Sequence, residues 1–228
     1  MKKSIQLLKK TTLLTALAAM AQLPALADGA EMPKTLSLEE TKNEPLVTIS
    51  PAEKNKLGKG QVVIGTKDRP NGRRWVTAKI KINAQPQVVW DAVHEERKSD
   101  PDLAYSKVLE EKNNEKTIEQ KFQLLPVIGT SVCVIKSNEI QNKRIDYYLL
   151  KSDRFKAVEG SWILQPTEDG GTVLELGSYI DIGVPAPRGF VENIAGKKLE
   201  RRVSSVRRFA EAHADKAIAH SKPEAQIK

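Results

Sequence analysis

The stretch of residues 155–219 constrains the fold most, because it joins two strand patterns to one long amphipathic helix. Asp169-Gly170-Gly171 lies between the strand patterns, and paired glycines favour the tight turn of a β-hairpin. Alternation gives each strand one apolar face. These faces comprise Val158, Gly160, Trp162 and Leu164 on the first strand, and Leu174, Leu176, Ser178, Ile180 and Ile182 on the second. Glu175 and Asp181 fall on the opposite face, so the pattern predicts a half-buried antiparallel pair.

The helix is predicted from about Gly189 to Ala219, after prolines at positions 185 and 187 end the second strand. It spans roughly seven or eight turns at ~3.6 residues per turn. Its apolar stripe recurs at steps of three to five residues and comprises Ile194, Leu199, Val203, Val206, Ala210 and Ala217. Charged side chains such as Lys197 and Arg208 face away from that stripe. A helix of this length with one apolar stripe is expected to pack that stripe against the sheet that the strands form.

The rest of the sequence predicts more strands and two shorter helices. Ser50-Pro51-Ala52-Glu53 is a capping box with proline at the first helical position, and it predicts a helix from Pro51 to Leu57. A second helix begins at Gln85-Pro86 and is expected to end around His94. Strand patterns cover residues 61–66, 75–83, 103–111, 115–124, 130–140 and 143–150. The predicted fold class is α+β, an antiparallel meander with one dominant helix.

Residues 1–27 have the pattern of a secretory signal peptide: lysines at the start, a short apolar run and Ala25-Leu26-Ala27 at the end. We expect cleavage between Ala27 and Asp28 and a periplasmic or secreted location. The alternative is an uncleaved amphipathic anchor, although the apolar run is shorter than the ~20 residues that span a membrane. The mature chain is then expected to comprise a linker with the short helix (28–57), a folded domain (58–219) and a disordered tail (220–228).

The charge of the chain argues against nucleic acid as a partner. The formal net charge is +8, and residues 1–27 hold four lysines and no acid, so removing them leaves +4. The basic residues of the last helix alternate with Glu200, Glu211 and Asp215, which is typical of a solvated face. Aromatic residues are few and are not interleaved with the basic ones, as single-strand binding requires.

The sequence offers no catalytic or metal-binding constellation. Cys133 is the only cysteine and lies in an apolar strand pattern, so we interpret it as a buried hydrophobe. His213 and His220 are seven residues apart, but no cysteine or acidic partner completes a metal site in the pattern. Alternation places Asp146, Glu159 and Glu175 on outward faces, which weighs against an enzyme. We predict no catalytic residue, no metal and no cofactor.

Four segments carry a family resemblance: the strand from Trp75 to Asn83 followed by Ala84-Gln-Pro-Gln-Val-Val-Trp-Asp-Ala-Val93, the strand Glu159-Gly-Ser-Trp-Ile-Leu164, Gly171-Thr-Val-Leu-Glu-Leu176 and the proline-bounded C-terminal helix. Together they resemble the START-like superfamily called SRPBCC. Within it, residues 58–215 are most similar to the polyketide cyclase/dehydrase and coenzyme Q-binding START-like branch. The resemblance implies a helix-grip fold, in which a curved antiparallel sheet wraps the C-terminal helix and leaves a cavity for lipids, sterols, quinones or aromatic polyketides.

The same-face residues of this sheet and helix would line such a cavity. The predicted ligand-binding set is Ile118, Gln120, Phe122, Leu124, Tyr147, Leu149, Trp162, Leu174, Leu176, Ser178, Ile180 and Ile194. Gln120 and Ser178 are the polar members and are expected to orient a polar end of the ligand. The alternative for each residue is ordinary core packing.

The leading hypothesis is an exported, soluble and monomeric carrier of a hydrophobic small molecule, with a transient contact to membrane surfaces. The alternative is a cyclase or dehydratase-like enzyme that uses the same cavity. Fold alone does not choose between a carrier and an enzyme.

Overall fold

The computed structural model describes residues 47–123, 129–183 and 187–221, with side chains up to residue 215. These residues contain a single curved sheet of eight antiparallel strands. The strands are β1 (Val63–Asp68), β2 (Arg74–Ile82), β3 (Leu103–Lys112), β4 (Glu115–Gln123), β5 (Thr130–Ile140), β6 (Arg144–Ser152), β7 (Ala157–Pro166) and β8 (Thr172–Asp181). Their order across the sheet is β1-β2-β8-β7-β6-β5-β4-β3. This confirms the predicted α+β class and the antiparallel meander.

In the described part of the chain, three helices accompany the sheet: α1 (Pro51–Gly58), α2 (Pro86–Ser99) and α3 (Arg188–Ser221). The 34-residue α3 confirms the long C-terminal helix. The prediction that α2 ends around His94 is wrong, because the helix continues to Ser99. Its charged last turn is not a solvated end, since Glu96 is buried there. No helix in the described part of the chain is long and apolar enough to span a membrane.

The main core lies between the inner face of the sheet and the two longer helices. Along the sheet, α3 lies against β2 and β8 and packs on α2, which itself lies on β7. The largest fully buried side chains of this core include Ile80, Ile82, Ile145, Trp162, Leu164, Leu174, Leu176, Val89, Val93, Val203 and Val206. Burying an aliphatic side chain of this kind contributes about 1.5–3 kcal/mol. Most of the predicted inner residues of β7 and β8 and of the predicted α3 stripe therefore lie in the core: Trp162, Leu164, Leu174, Leu176, Leu199, Val203, Val206 and Ala210. The side chain of Ala217 lies outside the described residues.

The outer face of β7 and β8 is covered as well, so the prediction of a half-buried pair is wrong. Val47, Ile49 and Leu57 pack on outward side chains of the sheet, Val63, Ile163 and Val173. Alternation along a strand predicts which residues share a face. It does not predict that a segment more than 100 residues earlier in the chain (47–58) covers that face.

Trp75 at the start of β2, together with Arg69 in the turn before it, covers another part of the outer face. Trp75 lies over Gly177, where an added Cβ would come within 2.9 Å of the indole ring. The indole nitrogen donates to Glu159 Oε1 at 2.9 Å, and the Arg69 guanidinium lies 4.6 Å from the centre of the Trp75 ring. Glu159 therefore faces outward, as predicted, but is only 6% exposed.

The docking of α1 on the sheet depends on Glu53. In the capping box, Glu53 Oε2 accepts from the Ser50 backbone N–H at 2.7 Å, and Lys79 Nζ donates to Glu53 Oε1 at 2.8 Å. Burial raises the pKa of Glu53, but the hydrogen bonds from Lys79 and Ser50 and the charge of Lys79 more than offset this and lower it to about 2. The ordinary pKa is 4.5, so this stabilisation is complete above about pH 4.5 and is lost as the pH falls towards 2.

We therefore expect Glu53→Gln to reduce the stability of the protein by about 1 kcal/mol at pH 6 and by less at pH 3.5. Urea denaturation of both proteins at the two pH values measures the difference. Glu168→Gln, at an exposed turn position, is the control and is expected to leave the pH profile unchanged. If the stability of Glu53→Gln and of the parent depended on pH in the same way, this would contradict the lowered pKa of Glu53.

Candidate functional site

The inner face of β4, β5 and β6 extends beyond the area where the helices pack most closely. Strand register places Tyr147 opposite Gly160 and Leu149 opposite Ile135, on the same side of the sheet as Trp162. Phe122, Tyr147 and Leu149 are nevertheless only partly buried. Side chains that point inward and still have accessible surface border an open space. We call this region the inner face of β4–β6.

The part of this face nearest the β3 edge is apolar. Ile118, Cys133 and Ile135 are buried there, and Phe122, Leu149 and Phe155 pack against them with part of their surface accessible. The rings of Phe122 and Phe155 meet edge to face with centroids 6.4 Å apart. Gln120 is buried beside them and donates its amide to Ser106 Oγ at 3.2 Å.

Cys133 is unsuited to nucleophilic chemistry at this position. It is 1% exposed, and burial, together with the negative charge of Asp153, raises the pKa of its thiol to about 12. Because the thiolate is the reactive form, we expect alkylation by iodoacetamide at pH 8 to be at least about 100-fold slower than for free cysteine. The rate should become ordinary in 6 M guanidinium. Rapid alkylation of the native protein would contradict this position for the thiol.

Tyr147 marks the polar end of the inner face of β4–β6. A Cβ at Gly160, its partner on β7, would lie 2.3 Å from the Tyr147 hydroxyl oxygen, so only glycine leaves room for the phenol. Burial raises the pKa of Tyr147, although Arg202 and a hydrogen bond with Ser178 act in the opposite direction. Tyr147 is therefore a neutral phenol that can donate a hydrogen bond at neutral pH.

Arg202 reaches from α3 into the space beside this phenol. Its Nε and Nη2 donate to the two oxygens of Glu96 at 2.9 and 2.8 Å, and Asp100 Oδ2 lies 3.3 Å from Nε. The guanidinium also lies 5.1 Å from the centre of the Trp162 ring. Burial lowers the pKa of Arg202, but the charges of Glu96 and Asp100 raise it above its ordinary value, so Arg202 stays charged.

A second group of buried ions lies at the same end of the sheet. Glu139 on β5 is 9% exposed and accepts from Arg97 Nη1 at 3.1 Å. Lys116 Nζ is also 3.1 Å from Glu139, and His94 Nε2 is 3.7 Å away. Burial lowers the pKa of His94 despite the attraction of Glu139, which favours the neutral imidazole.

The structure brings some of the predicted ligand-binding residues together and separates others. Ile118, Gln120, Phe122, Tyr147 and Leu149 lie together on the inner face of β4–β6, and Ile194 is partly buried on α3. Trp162, Leu174, Leu176 and Ser178 are buried at the main core or its margin, where Ser178 donates to the Glu159 carbonyl. Leu124 lies outside the described residues. Ile180 was expected on a buried face but is 39% exposed, because it extends past the last β8 residue paired with β2.

Sequence reasoning missed Glu96 and Arg202, although both are in phase with an apolar helix stripe. Arg202 is three residues after Leu199 and four before Val206, and Glu96 is three residues after Val93. An ionisable residue on the buried stripe of a helix indicates a buried partner. This signal was present in the sequence. It was missed for Glu96 because the prediction ended α2 around His94, before Glu96.

Within the described residues, no group of three or more histidine, cysteine or acidic side chains is arranged to hold a metal ion. His213 Nε2 is 2.8 Å from Glu95 Oε2, so it does have an acidic neighbour. The side chain of His220 is outside the described part of the chain.

An antiparallel sheet of this order, a long C-terminal helix across it and a partly open inner face define a START-like helix-grip protein. The family model for polyketide cyclase/dehydrase and lipid transport matches residues 73–214. The chain belongs to that family, which confirms the superfamily predicted from the sequence. No curated protein matches the chain in sequence.

Several solved structures share this fold. A START superfamily protein from Mycobacterium smegmatis has a TM-score of 0.53 at 17% identity, over 60% of this chain and 97% of that chain. A STAR-related lipid transfer protein from Xanthomonas axonopodis has a TM-score of 0.53 at 14% identity, over 73% of this chain and 98% of that chain. The lipid transfer and protein localization domain of human StarD13 has a TM-score of 0.51 at 16% identity, over 73% of this chain and 91% of that chain. At these identities the similarity concerns the fold alone.

Proposed function

We propose that this domain binds a hydrophobic or amphipathic small molecule, such as a lipid, a quinone or a polyketide-like compound, on the inner face of β4–β6. The observation that carries the proposal is the accessible surface of Phe122, Tyr147 and Leu149, which point inward yet are only partly buried. Covering apolar surface of this kind with a ligand is favourable by about 25 cal/mol per Å². The fold and family are consistent with such a ligand.

Uptake of a neutral hydrophobic dye, N-phenyl-1-naphthylamine, tests this proposal by fluorescence titration. Leu149→Trp fills the inner face and is expected to weaken dye binding by at least about tenfold. Val132→Trp adds the same ring on the other side of β5 and serves as the matched control. No binding by the parent chain, or equal binding by both variants, would contradict the proposal.

A cyclase or dehydratase-like enzyme is the second candidate function. It is favoured by two polar groups near that face: the Tyr147 phenol lies over Gly160, and the Arg202 guanidinium lies 5.1 Å from the centre of the Trp162 ring. An enzyme of this kind would cyclise a 1,5-diketone probe, heptane-2,6-dione, to 3-methylcyclohex-2-enone with loss of one water. It would lose turnover in Tyr147→Phe while still binding the probe. A carrier would bind the probe without converting it, which high-performance liquid chromatography of the mixture distinguishes.

We also propose that residues 1–27 direct export and are removed between Ala27 and Asp28. The basic start, the apolar run and the Ala25-Leu26-Ala27 end support this. Intact mass measurement of the protein isolated from its native cells is expected to give a chain that begins at Asp28. A mass that includes the first 27 residues would contradict it.

A transient contact with anionic membranes is proposed as part of ligand exchange. Phe190 is 59% exposed at the start of α3, and Arg188 beside it is also exposed. Farther along the helix, Lys198 and Arg201 are paired with Asp102, so they leave less free positive charge than the sequence indicates. Flotation with anionic vesicles should fall as salt rises. Binding that is indifferent to salt, or absent, would contradict the contact.

A further inference from the structure

Strand register arranges four aliphatic side chains in a row across the inner face of the sheet. Val108 on β3 pairs with Ile118 on β4. Ile118 pairs in turn with Ile135 on β5, and Ile135 pairs with Leu149 on β6. Directly paired residues of antiparallel strands point to the same side of the sheet. Neighbouring strands are ~4.8 Å apart, so this apolar row is about 14 Å long.

The apolar row runs from the interior to the free edge of the sheet. Ile118 and Ile135 are each 5% exposed, and Leu149 packs against them with part of its surface accessible. Val108, at the other end of the row, is 51% exposed. β3 is the last strand of the sheet, and nine of its ten residues are exposed, whereas α3 lies across the opposite half, on β2 and β8. The outer end of the apolar row is therefore open to solvent.

Polar residues border the apolar row as it approaches this edge. On one side Ser106 pairs with Gln120, and the Gln120 amide donates to Ser106 Oγ at 3.2 Å. On the other side Glu111 pairs with Lys116, whose Nζ is 3.4 Å from Glu111 Oε1. At β4 the apolar surface is therefore one side chain wide, with Ile118 between Gln120 and Lys116. One extended aliphatic chain covers such a strip, whereas a fused-ring compound would also cover the polar borders at a cost in desolvation.

We propose that the ligand is a single-chain amphiphile whose aliphatic chain lies along the apolar row and whose polar end stays at the free edge of β3. This inference rests on the proposed ligand-binding function and deepens it. The chain ends beside Leu149, where Phe122 and Phe155 add further apolar surface. A polar group at that end would lose its water, whereas beside Val108 it remains hydrated. Fatty acyl and isoprenoid compounds share the recognised group, a single aliphatic chain.

The position of the polar end is tested with 4-palmitamido-TEMPO, an uncharged amphiphile that carries a nitroxide quencher at its polar end. A bimane label is attached to the full chain at Val108→Cys, at Leu109→Cys or, for comparison, at Phe190→Cys, all of which are exposed positions. The natural Cys133 is buried and does not compete for the label. We expect the bound probe to quench bimane on β3 and to leave bimane at position 190 unquenched. If a label at Val108→Cys prevents uptake, Leu109→Cys decides.

Ile135→Thr tests the contact with the chain. It places a hydroxyl in the middle of the apolar row and should weaken the binding of 1-dodecanol by at least about fivefold, measured by displacement of N-phenyl-1-naphthylamine. Val134→Thr introduces the same hydroxyl on the other face of β5 and should leave the binding unchanged. If Ile135→Thr does not fold, the quenching experiment decides alone. Farnesol, measured beside 1-dodecanol, separates the two sources, because the tighter binder identifies the chain as isoprenoid or acyl.

The failure of this inference differs from the failure of the proposed function. Quenching at position 190 and not on β3, equal effects of Ile135→Thr and Val134→Thr, or uptake of the dye that no chain compound displaces overturns the single-chain ligand and leaves the proposed function standing. If neither the dye nor any chain compound binds, the proposed function fails as well.

Discussion

Gly160→Ala is expected to lower the free energy of unfolding by about 3 kcal/mol or more, at the upper end of overpacking effects. The added Cβ would lie 2.3 Å from the Tyr147 hydroxyl oxygen and 2.5 Å from the backbone carbonyl oxygen of Gly177. The phenol can move only into the space that we assign to the ligand, and the Gly177 carbonyl belongs to the paired strand β8. Strand separation at the centre of the sheet is therefore the expected consequence.

Urea denaturation followed by circular dichroism measures this loss, and Gly189→Ala is the matched control. A Cβ at Gly189 meets nothing within 4 Å, and alanine favours a helix, so that variant should be neutral or slightly stabilising. Tyr147→Ala in the Gly160→Ala background should recover only part of the loss, because the backbone contact persists. A loss below about 0.5 kcal/mol for Gly160→Ala would contradict the observed packing.

Removing one member of the Arg202–Glu96 pair is expected to destabilise the protein by about 3–5 kcal/mol, because the remaining charge stays buried without its partner. Glu96 is 3% exposed and accepts two hydrogen bonds from Arg202. Glu96→Leu with Arg202→Met replaces both ions by apolar side chains of similar length. Asp100 keeps Arg201 as a cation partner at 3.0 Å, so this double variant is expected to recover most of the lost stability.

A double-mutant cycle of Glu96→Leu and Arg202→Met, followed by thermal and urea unfolding, measures the coupling between the two residues. Glu95→Leu with His213→Leu is a useful comparison, since that pair links the same two helices at the surface. Its coupling should be below about 1 kcal/mol. Additive losses for Glu96 and Arg202 would contradict a direct buried pair.

The architecture was predictable because its signals are local. Strand alternation, the glycine pair at 170–171 and the capping box at Ser50 each act within a few residues, and the structure confirms the elements that they predict. The long stripe of α3 could be recognised from its period alone. The superfamily followed from the order of these elements and a few short motifs.

The site was less predictable because it depends on contacts between distant parts of the chain. Alternation placed Tyr147 and Leu149 on the correct face, but it did not show that Leu174 and Leu176 fill the core while Leu149 stays partly accessible. That difference arises because α3 crosses the β2–β8 half of the sheet. Likewise, the sequence prediction ended α2 around His94, because the partner of Glu96 lies on α3, 106 positions later in the chain.

Native mass spectrometry of the gently purified protein tests the central claim most directly. The account predicts a stoichiometric adduct that organic extraction releases as a hydrophobic or amphipathic small molecule, and that Leu149→Trp no longer carries. The Val132→Trp control should keep it. A protein that has the mass of the bare polypeptide, and that takes up nothing when lipids, quinones and aromatic ketones are supplied, would contradict the account.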